Sequence, residues 1–530
     1  MREAPPNLAS IVFSEMLSRA LRDAEPSTRE AAPSPPAGLK RTPTFAHKPE
    51  VSVPLQHDLS QQHPPISAAE RLRALADAAE TGAIEFDVYG QGAALQAFEQ
   101  QVAQLLGKEA GCFFATGTGA QHAALLALTP DVDRPTVLLH PTSHLVHLDC
   151  LRDGPMQDAQ FENTAASNLA LVTARKCGDV ARVLSFDDVR RALAPDVKAA
   201  AATRPDVLVV ELPMRMLGGA TPSLDDLQKL SALCRASGVK LHLDGARLWE
   251  ALPAYPALGS DISALAALFD SVYVSFYKGI GAMGCAMLTG DAKTIEAARR
   301  WQKRRGGDLF CRGPLALDCQ LRLNGLLSPM PPPSRGGTGG NLALVQAACA
   351  AAATAAAPGI TPERAALAGV FGARCERLRR YVQLASAEAA AALPEGRGDR
   401  PVVLFSPRVP QCGMVHGYVR GPPAARGTCA GLQACHDAAM AKSGVRLWGK
   451  LRGPGHASLP GEPAFDNPPE FLREHEWHYF EWSIGAANSD LPDEAVRAGW
   501  RAFLEEHAAW MERFAEDVKD TYLVDSCVVS

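Results

Sequence analysis

Five short runs of β-branched and aromatic residues recur through one half of this chain. They are GCFFA (111–115), TVLLH (136–140), DVLVVEL (206–212), VKLHLD (239–244) and SVYVSFY (271–277). Helical stretches alternate with them, such as SLDDLQKLSALCRASG, which has a capping serine at Ser223 and a terminating glycine at Gly238. This alternation predicts a mostly parallel sheet covered by helices on both faces, an α/β fold. Ligands of such sheets sit beyond the carboxyl ends of the strands.

Three of those ends carry unusual residues. The first strand runs into Thr116-Gly117-Thr118-Gly119, and a helix opens at once. Backbone N–H groups at a helix start, with small residues allowing close approach, suit a phosphate, although glycine there is more often only a turn residue. The fourth strand ends in HLDGARL (242–248). Alternation puts His242 and Asp244 on one face and Leu241 and Leu243 on the other. Asp244 can cap the next helix, or pair with Arg247 in a salt bridge, or serve a ligand. The fifth strand runs into Lys278, followed by Gly279, Gly281 and a further apolar run. A lysine between buried segments either snorkels to water or has its pKa lowered for chemistry with carbonyls.

An anion cradle, a carboxylate and a lysine, in this order, fit pyridoxal phosphate. That cofactor needs its phosphate held, its ring nitrogen kept protonated and its aldehyde bound to an amine. On this reading Asp244 pairs with the ring nitrogen and Arg247 holds a substrate carboxylate by a bidentate pair.

At these residues the chain resembles the threonine aldolase/β-eliminating lyase family of fold type I pyridoxal-phosphate enzymes. The likeness covers roughly residues 80 to 315 and includes DVYG (87–90), GKEA (107–110), the Thr-Gly-Thr turn, Ser143-His144, HLDGARL (242–248) and SFYKG (275–279). The resemblance implies that Lys278 binds the cofactor aldehyde and that Asp244 is the ring-nitrogen partner. It implies that Arg247 binds the substrate carboxylate, that His144 stacks on the ring and moves protons, and that Gly117 and Thr118 bind the phosphate. It also implies a homodimer or homotetramer, with DVYG near a neighbouring subunit's site.

The chain departs from the family in three places. A further histidine expected before the strand at 206–212 is absent from AAAAT (199–203). The family's ENTHN segment reads Glu211-Leu212-Pro213-Met214-Arg215. Near HYFEWSIG (478–485), where the family supplies a second carboxylate arginine, stands Glu481. The expected activity is cleavage of the Cα–Cβ bond of a β-hydroxy-α-amino acid to glycine and an aldehyde, without a metal. β-Elimination or transamination of another amino acid is the alternative, since both use the same anchors.

Fifty-three basic against 58 acidic residues give a net charge of −5, so no basic excess serves a nucleic acid or a membrane surface. No apolar run reaches the length of a membrane span. Thirteen unpatterned cysteines fit a reducing compartment, and a cytoplasmic enzyme is expected. Residues 8 to 21 form an apolar helical stripe flanked by arginines. Glu3, Glu15, Asp23 and Glu25 favour a surface-docking helix over an import signal. The expected organisation is an N-terminal extension and linker (1–56), a cofactor-binding large domain (57–330), and a Pro/Gly-rich linker (331–340). A smaller α+β domain (341–520), opening on an Ala-rich helix stopped by Pro358, and a tail (521–530) complete it.

Overall fold

Val207–Val210 are buried on both faces, as a continuous apolar run in a parallel sheet requires. They belong to the strand Val207–Glu211 of a seven-stranded sheet in a computed structural model of the chain. The structure describes residues 53–80, 87–145, 172–194, 204–259, 261–327, 360–392, 401–422, 428–451 and 477–526, all in one compact unit, Pro49–Ser530. The apolar stripe at 8–21, AAAAT, the 331–340 linker and the Ala-rich helix lie outside the described residues.

The sheet contains β2 (Ala110–Phe114), β3 (Thr136–Leu139), β4 (Thr173–Lys176), β5 (Val207–Glu211), β6 (Lys240–Gly245), β7 (Ser271–Ser275) and β8 (Ala286–Gly290). Their spatial order is β2-β8-β7-β6-β5-β3-β4. β8 runs antiparallel to both neighbours, and the other pairs are parallel. The five expected strands are present within a residue or two. β4, with sequence TARK and partly exposed, is an edge strand without apolar periodicity, so no signal marked it. The helix Leu224–Ser237 starts and stops as its sequence predicts. The Ser223 side chain accepts from Asp226 N–H, and Gly238 has φ +64°.

A second core is built around Trp448, Trp482, Trp500, Phe405, Phe480 and Phe503. It packs a three-stranded antiparallel sheet in the order β12-β10-β9, formed by β9 (Val403–Ser406), β10 (Met414–Arg420) and β12 (Trp477–Ser483). The helices Pro362–Ala391 and Asp493–Ser526 contribute to it. β1 (His57–Asp58) pairs in parallel with β11 (Val445–Arg446), which ties the N-terminal segment into this core through the buried Leu59. That segment continues to Gln62 and His63, which reach the loop carrying Lys278. No helix among the described residues is long and apolar enough to cross a membrane.

Candidate functional site

The carboxyl ends of the parallel strands converge on a cleft, the place where ligands of such sheets bind. Gly117, His144, Asp244, Arg247 and Lys278 line it, from four different strand ends. Pairing explains part of this. Glu211, Asp244 and Tyr273 are register neighbours on β5, β6 and β7, so their side chains form one row across the sheet.

At the β2 end, Thr116 caps the helix Gly117–Leu128, its side chain accepting from Gly119 N–H at 3.1 Å. Thr118 follows Gly117 in the first turn. A Cβ at Gly117 would stand 2.1 Å from the Tyr273 hydroxyl, so only glycine lets the backbone come this close. That is a cradle of the kind an anion needs at a helix N-terminus.

Asp244 is almost wholly buried. Its Oδ2 accepts from Gln121 Nε2 at 2.6 Å, and its Oδ1 accepts from Ala246 N–H at 3.1 Å. Gln121 Oε1 in turn faces His242 Nε2 at 3.2 Å, and His242 Nδ1 faces Ser271 Oγ at 2.7 Å. Because Gln121 donates to a carboxylate, its carbonyl oxygen is left to accept. His242 therefore carries its proton on Nε2 and accepts on Nδ1. Burial pulls the His242 imidazolium down to about 3, so it is neutral. The chain Ser271–His242–Gln121–Asp244 thus stays neutral up to a single carboxylate.

Asp244 is not salt-bridged to Arg247, nor does it cap the helix that follows, which has no side-chain cap. The two structural alternatives for this stretch are therefore replaced by the Gln121 relay. Arg247 turns elsewhere, to the fully buried Glu250 at 3.4 Å and to Glu481 at 3.3 Å.

Lys278 lines the cleft rather than snorkelling to the surface. Burial, with the Arg247 guanidinium beside it, lowers its ammonium to about 8, against the opposing pull of Asp244 and Glu211. His63 faces the Lys278 carbonyl through Nε2 and is held neutral by burial, lowered to about 4. Burial next to Asp244 raises the Glu211 carboxyl. Glu211 accepts from the backbone N–H of His144 at 3.1 Å and of Arg215 at 2.9 Å, which fixes both residues at the mouth of the cleft.

A model of the beta-eliminating lyase family matches residues 67–399. The chain belongs to that family. Its mostly parallel sheet flanked by helices is that of fold type I pyridoxal-phosphate enzymes. A protein from Exiguobacterium, described as a candidate aromatic amino acid beta-eliminating lyase/threonine aldolase, superposes with a TM-score of 0.59. It is 25% identical, and the match covers 85% of this chain and 97% of that one. The low specificity L-threonine aldolase of Saccharomyces cerevisiae is 26% identical over 250 residues, 47% of this chain and 59% of the relative. Alanine racemase TOXG of Cochliobolus carbonum is 31% identical over 225 residues, 42% of this chain and 52% of the relative. The chain thus spans between half and three-fifths of these two relatives' own lengths.

Sequence reasoning passed over Gln121, Tyr273, Glu250 and the N-terminal Gln62, and it treated Glu211 and Arg215 only as part of an altered segment. A glutamate ending the apolar run DVLVVEL was a usable signal for Glu211. Nothing local marked Gln121 or Gln62, whose partners lie 123 and 188 residues away.

Proposed function

We propose that this protein is a pyridoxal-phosphate-dependent lyase that cleaves the Cα–Cβ bond of a β-hydroxy-α-amino acid to glycine and an aldehyde. The observation that carries this reading is the meeting of Lys278, Asp244, Arg247, His144 and the Gly117 turn in one cleft. The residues fit the cofactor on chemical grounds. The first N–H groups of the helix opening at Gly117 suit a phosphate, and glycine there lets the backbone lie against the Tyr273 hydroxyl. Ser275 Oγ, on the same strand face as Tyr273, is buried without a hydrogen-bond partner among the described residues. Asp244 retains acceptor capacity beyond its two bonds.

When bound, pyridoxal phosphate supplies an aldehyde for the lysine amine and an electron-accepting ring. Lys278 holds the aldehyde through Nζ, and Asp244 holds a proton at the ring nitrogen. Gly117 and Thr118 hold the phosphate, and Arg247 orients the substrate through its carboxylate. His144 takes the β-hydroxyl proton as the Cα–Cβ bond breaks and the C–O bond becomes a carbonyl, and Cα is then protonated to give glycine. Glu211, pinned under the His144 backbone, fixes where that imidazole stands.

A panel of L- and D-amino acids supplied to the cofactor-loaded protein separates the reactions. Glycine plus an aldehyde from threonine or allo-threonine is the expected result. Pyruvate plus ammonia from serine or cysteine means β-elimination. Inversion of alanine without cleavage, the reaction in the name of one relative, overturns the lyase reading.

We also propose a homo-oligomer of at least two subunits, acting on a small amino acid in the cytoplasm. The support is an apolar surface at the DVYG turn. Val88, Tyr89 and Phe310 are at least half exposed, and Tyr89 packs edge-on against Phe310 with ring centroids 5.4 Å apart. Asp87 holds this turn rigid by accepting from Arg312 N–H, Gly313 N–H and Gly90 N–H. Tyr89→Glu is expected to shift a sedimenting dimer or tetramer to monomer. A wild-type monomer at assay concentration overturns this.

A further inference from the structure

Arg215 stands in the part of the site where the family pattern is most altered. It begins a one-turn 3₁₀ helix, Arg215–Leu217, in a loop whose geometry leaves little freedom. Met214 N–H donates to Ala220 O and Glu211 accepts from Arg215 N–H. A Cβ on Gly218 would meet the Ser406 carbonyl oxygen at 1.9 Å, so the loop is seated on β9. The guanidinium it presents lines the same cleft as Lys278 and Arg247. Across from it, Glu481 on β12 bridges the two arginines. Its Oε2 lies 3.0 Å from Arg215 Nη2, and its Oε1 lies 3.3 Å from Arg247 Nη2.

The geometry of this bridge leaves the Arg247 guanidinium short of a full carboxylate partner. Arg247 makes only long contacts, 3.3 to 3.4 Å, to Glu481 and Glu250, and its buried Nε–H has no hydrogen-bond acceptor among the described residues. A guanidinium presents five N–H donors and engages carboxylates best through two parallel bonds, which neither glutamate provides here. The charged groups gathered here are Arg215, Arg247, Arg374 and Lys278 against Glu250, Glu481, Glu211 and Asp244. Arg374 faces the same group through Glu250 and donates to Gly279 O at 2.9 Å. The nearby His63 is neutral, and His416 Nε2 stands 3.9 Å from Glu481 Oε2.

We propose that Arg215 is the second guanidinium of the substrate-carboxylate clamp, and that Glu481 is a resident carboxylate that the substrate's own carboxylate displaces. The clamp is then built from β5 and β6 loops of the large domain, while the small domain contributes a competitor instead of an arginine. This rests on the amino-acid reading of the site, and it makes the site selective for amino acids over amines.

The test uses cofactor-loaded protein titrated by calorimetry with glycine and with methylamine, which differ by the carboxylate. Wild type is expected to bind glycine at least about tenfold more tightly. Arg215→Gln and Arg247→Lys are each expected to weaken glycine roughly ten- to a hundredfold while leaving methylamine and cofactor affinity unchanged, the effect of losing charged hydrogen bonds. Glu481→Gln, which keeps the shape and removes the competing charge, is expected to tighten glycine severalfold. Arg215→Lys, the more conservative change, is expected to fall between wild type and Arg215→Gln. If wild type binds neither ligand, the amino-acid reading fails and this proposal falls with it. If wild type binds glycine but Arg215→Gln and Arg215→Lys bind it equally well, or if Glu481→Gln weakens it, the clamp assignment alone is overturned.

Discussion

Replacing Lys278 with alanine is expected to abolish the visible absorbance that the wild-type protein acquires with pyridoxal phosphate, and to reduce turnover by orders of magnitude. Residues that act as one unit lose nearly all of its effect singly. The fold should survive, because the backbone around position 278 is held by groups other than its ammonium. His63 Nε2 contacts the Lys278 carbonyl, Arg374 donates to the Gly279 carbonyl, and Ala282 N–H donates to Phe276 O. The lowered ammonium adds a pH signature. The neutral amine is the form that attacks an aldehyde, and a pKa of about 8 leaves about one lysine in eleven neutral at pH 7. An ordinary lysine leaves roughly one in 2,500. Loading of cofactor-free protein should therefore speed up about tenfold per pH unit below 8 and level off above it. A rate still climbing tenfold between pH 9 and 10, or a chromophore that survives in Lys278→Ala, refutes the assignment.

The second large effect belongs to Asp244. Asp244→Asn is expected to retain cofactor and fold but to lose roughly 100- to 1,000-fold in turnover, the magnitude typical of removing one preorganised electrostatic partner. Retention follows from the relay behind it. With an amide at 244, Gln121 can rotate so that its oxygen accepts from the new NH₂ group. His242 then moves its proton to Nδ1 and donates to Ser271 Oγ, whose hydroxyl rotates to suit. Every bond in the buried chain is kept with its direction reversed, so no orphaned donor penalises the fold. What is lost is the negative charge that holds a proton on the ring nitrogen. Thermal unfolding within a few degrees of wild type, together with the fall in turnover, is the expected pair of results. Unchanged turnover would leave Asp244 as only the terminal acceptor of a structural hydrogen-bond chain.

Much of the seven-stranded sheet could be read from the chain because its parallel strands are buried on both faces and therefore appear as continuous apolar runs. The charged residues that end such runs, Asp244 and Lys278, stand out for the same reason: a charge beside a buried segment needs a partner. Local patterning also placed the Gly117 turn, since a strand giving way directly to a helix leaves its first N–H groups at the sheet's edge. These features depend on residues within one or two turns of each other, so sequence alone determined the sheet, the strand-end site and the order of its anchors.

Partnership was decided elsewhere. Arg247 stands three residues from Asp244, yet it pairs with Glu250 and with Glu481, 234 positions away, while Asp244 takes Gln121. Glu211, Asp244 and Tyr273 become a row only after β5, β6 and β7 pair in register. The N-terminal segment reached the site only because β1 is stitched to β11 across 388 positions. Sequence spacing carries no information on such pairs, because it is the burial of the two cores that brings their carriers together. The sequence therefore determined which residues end the strands, and tertiary packing decided which charge each of them meets.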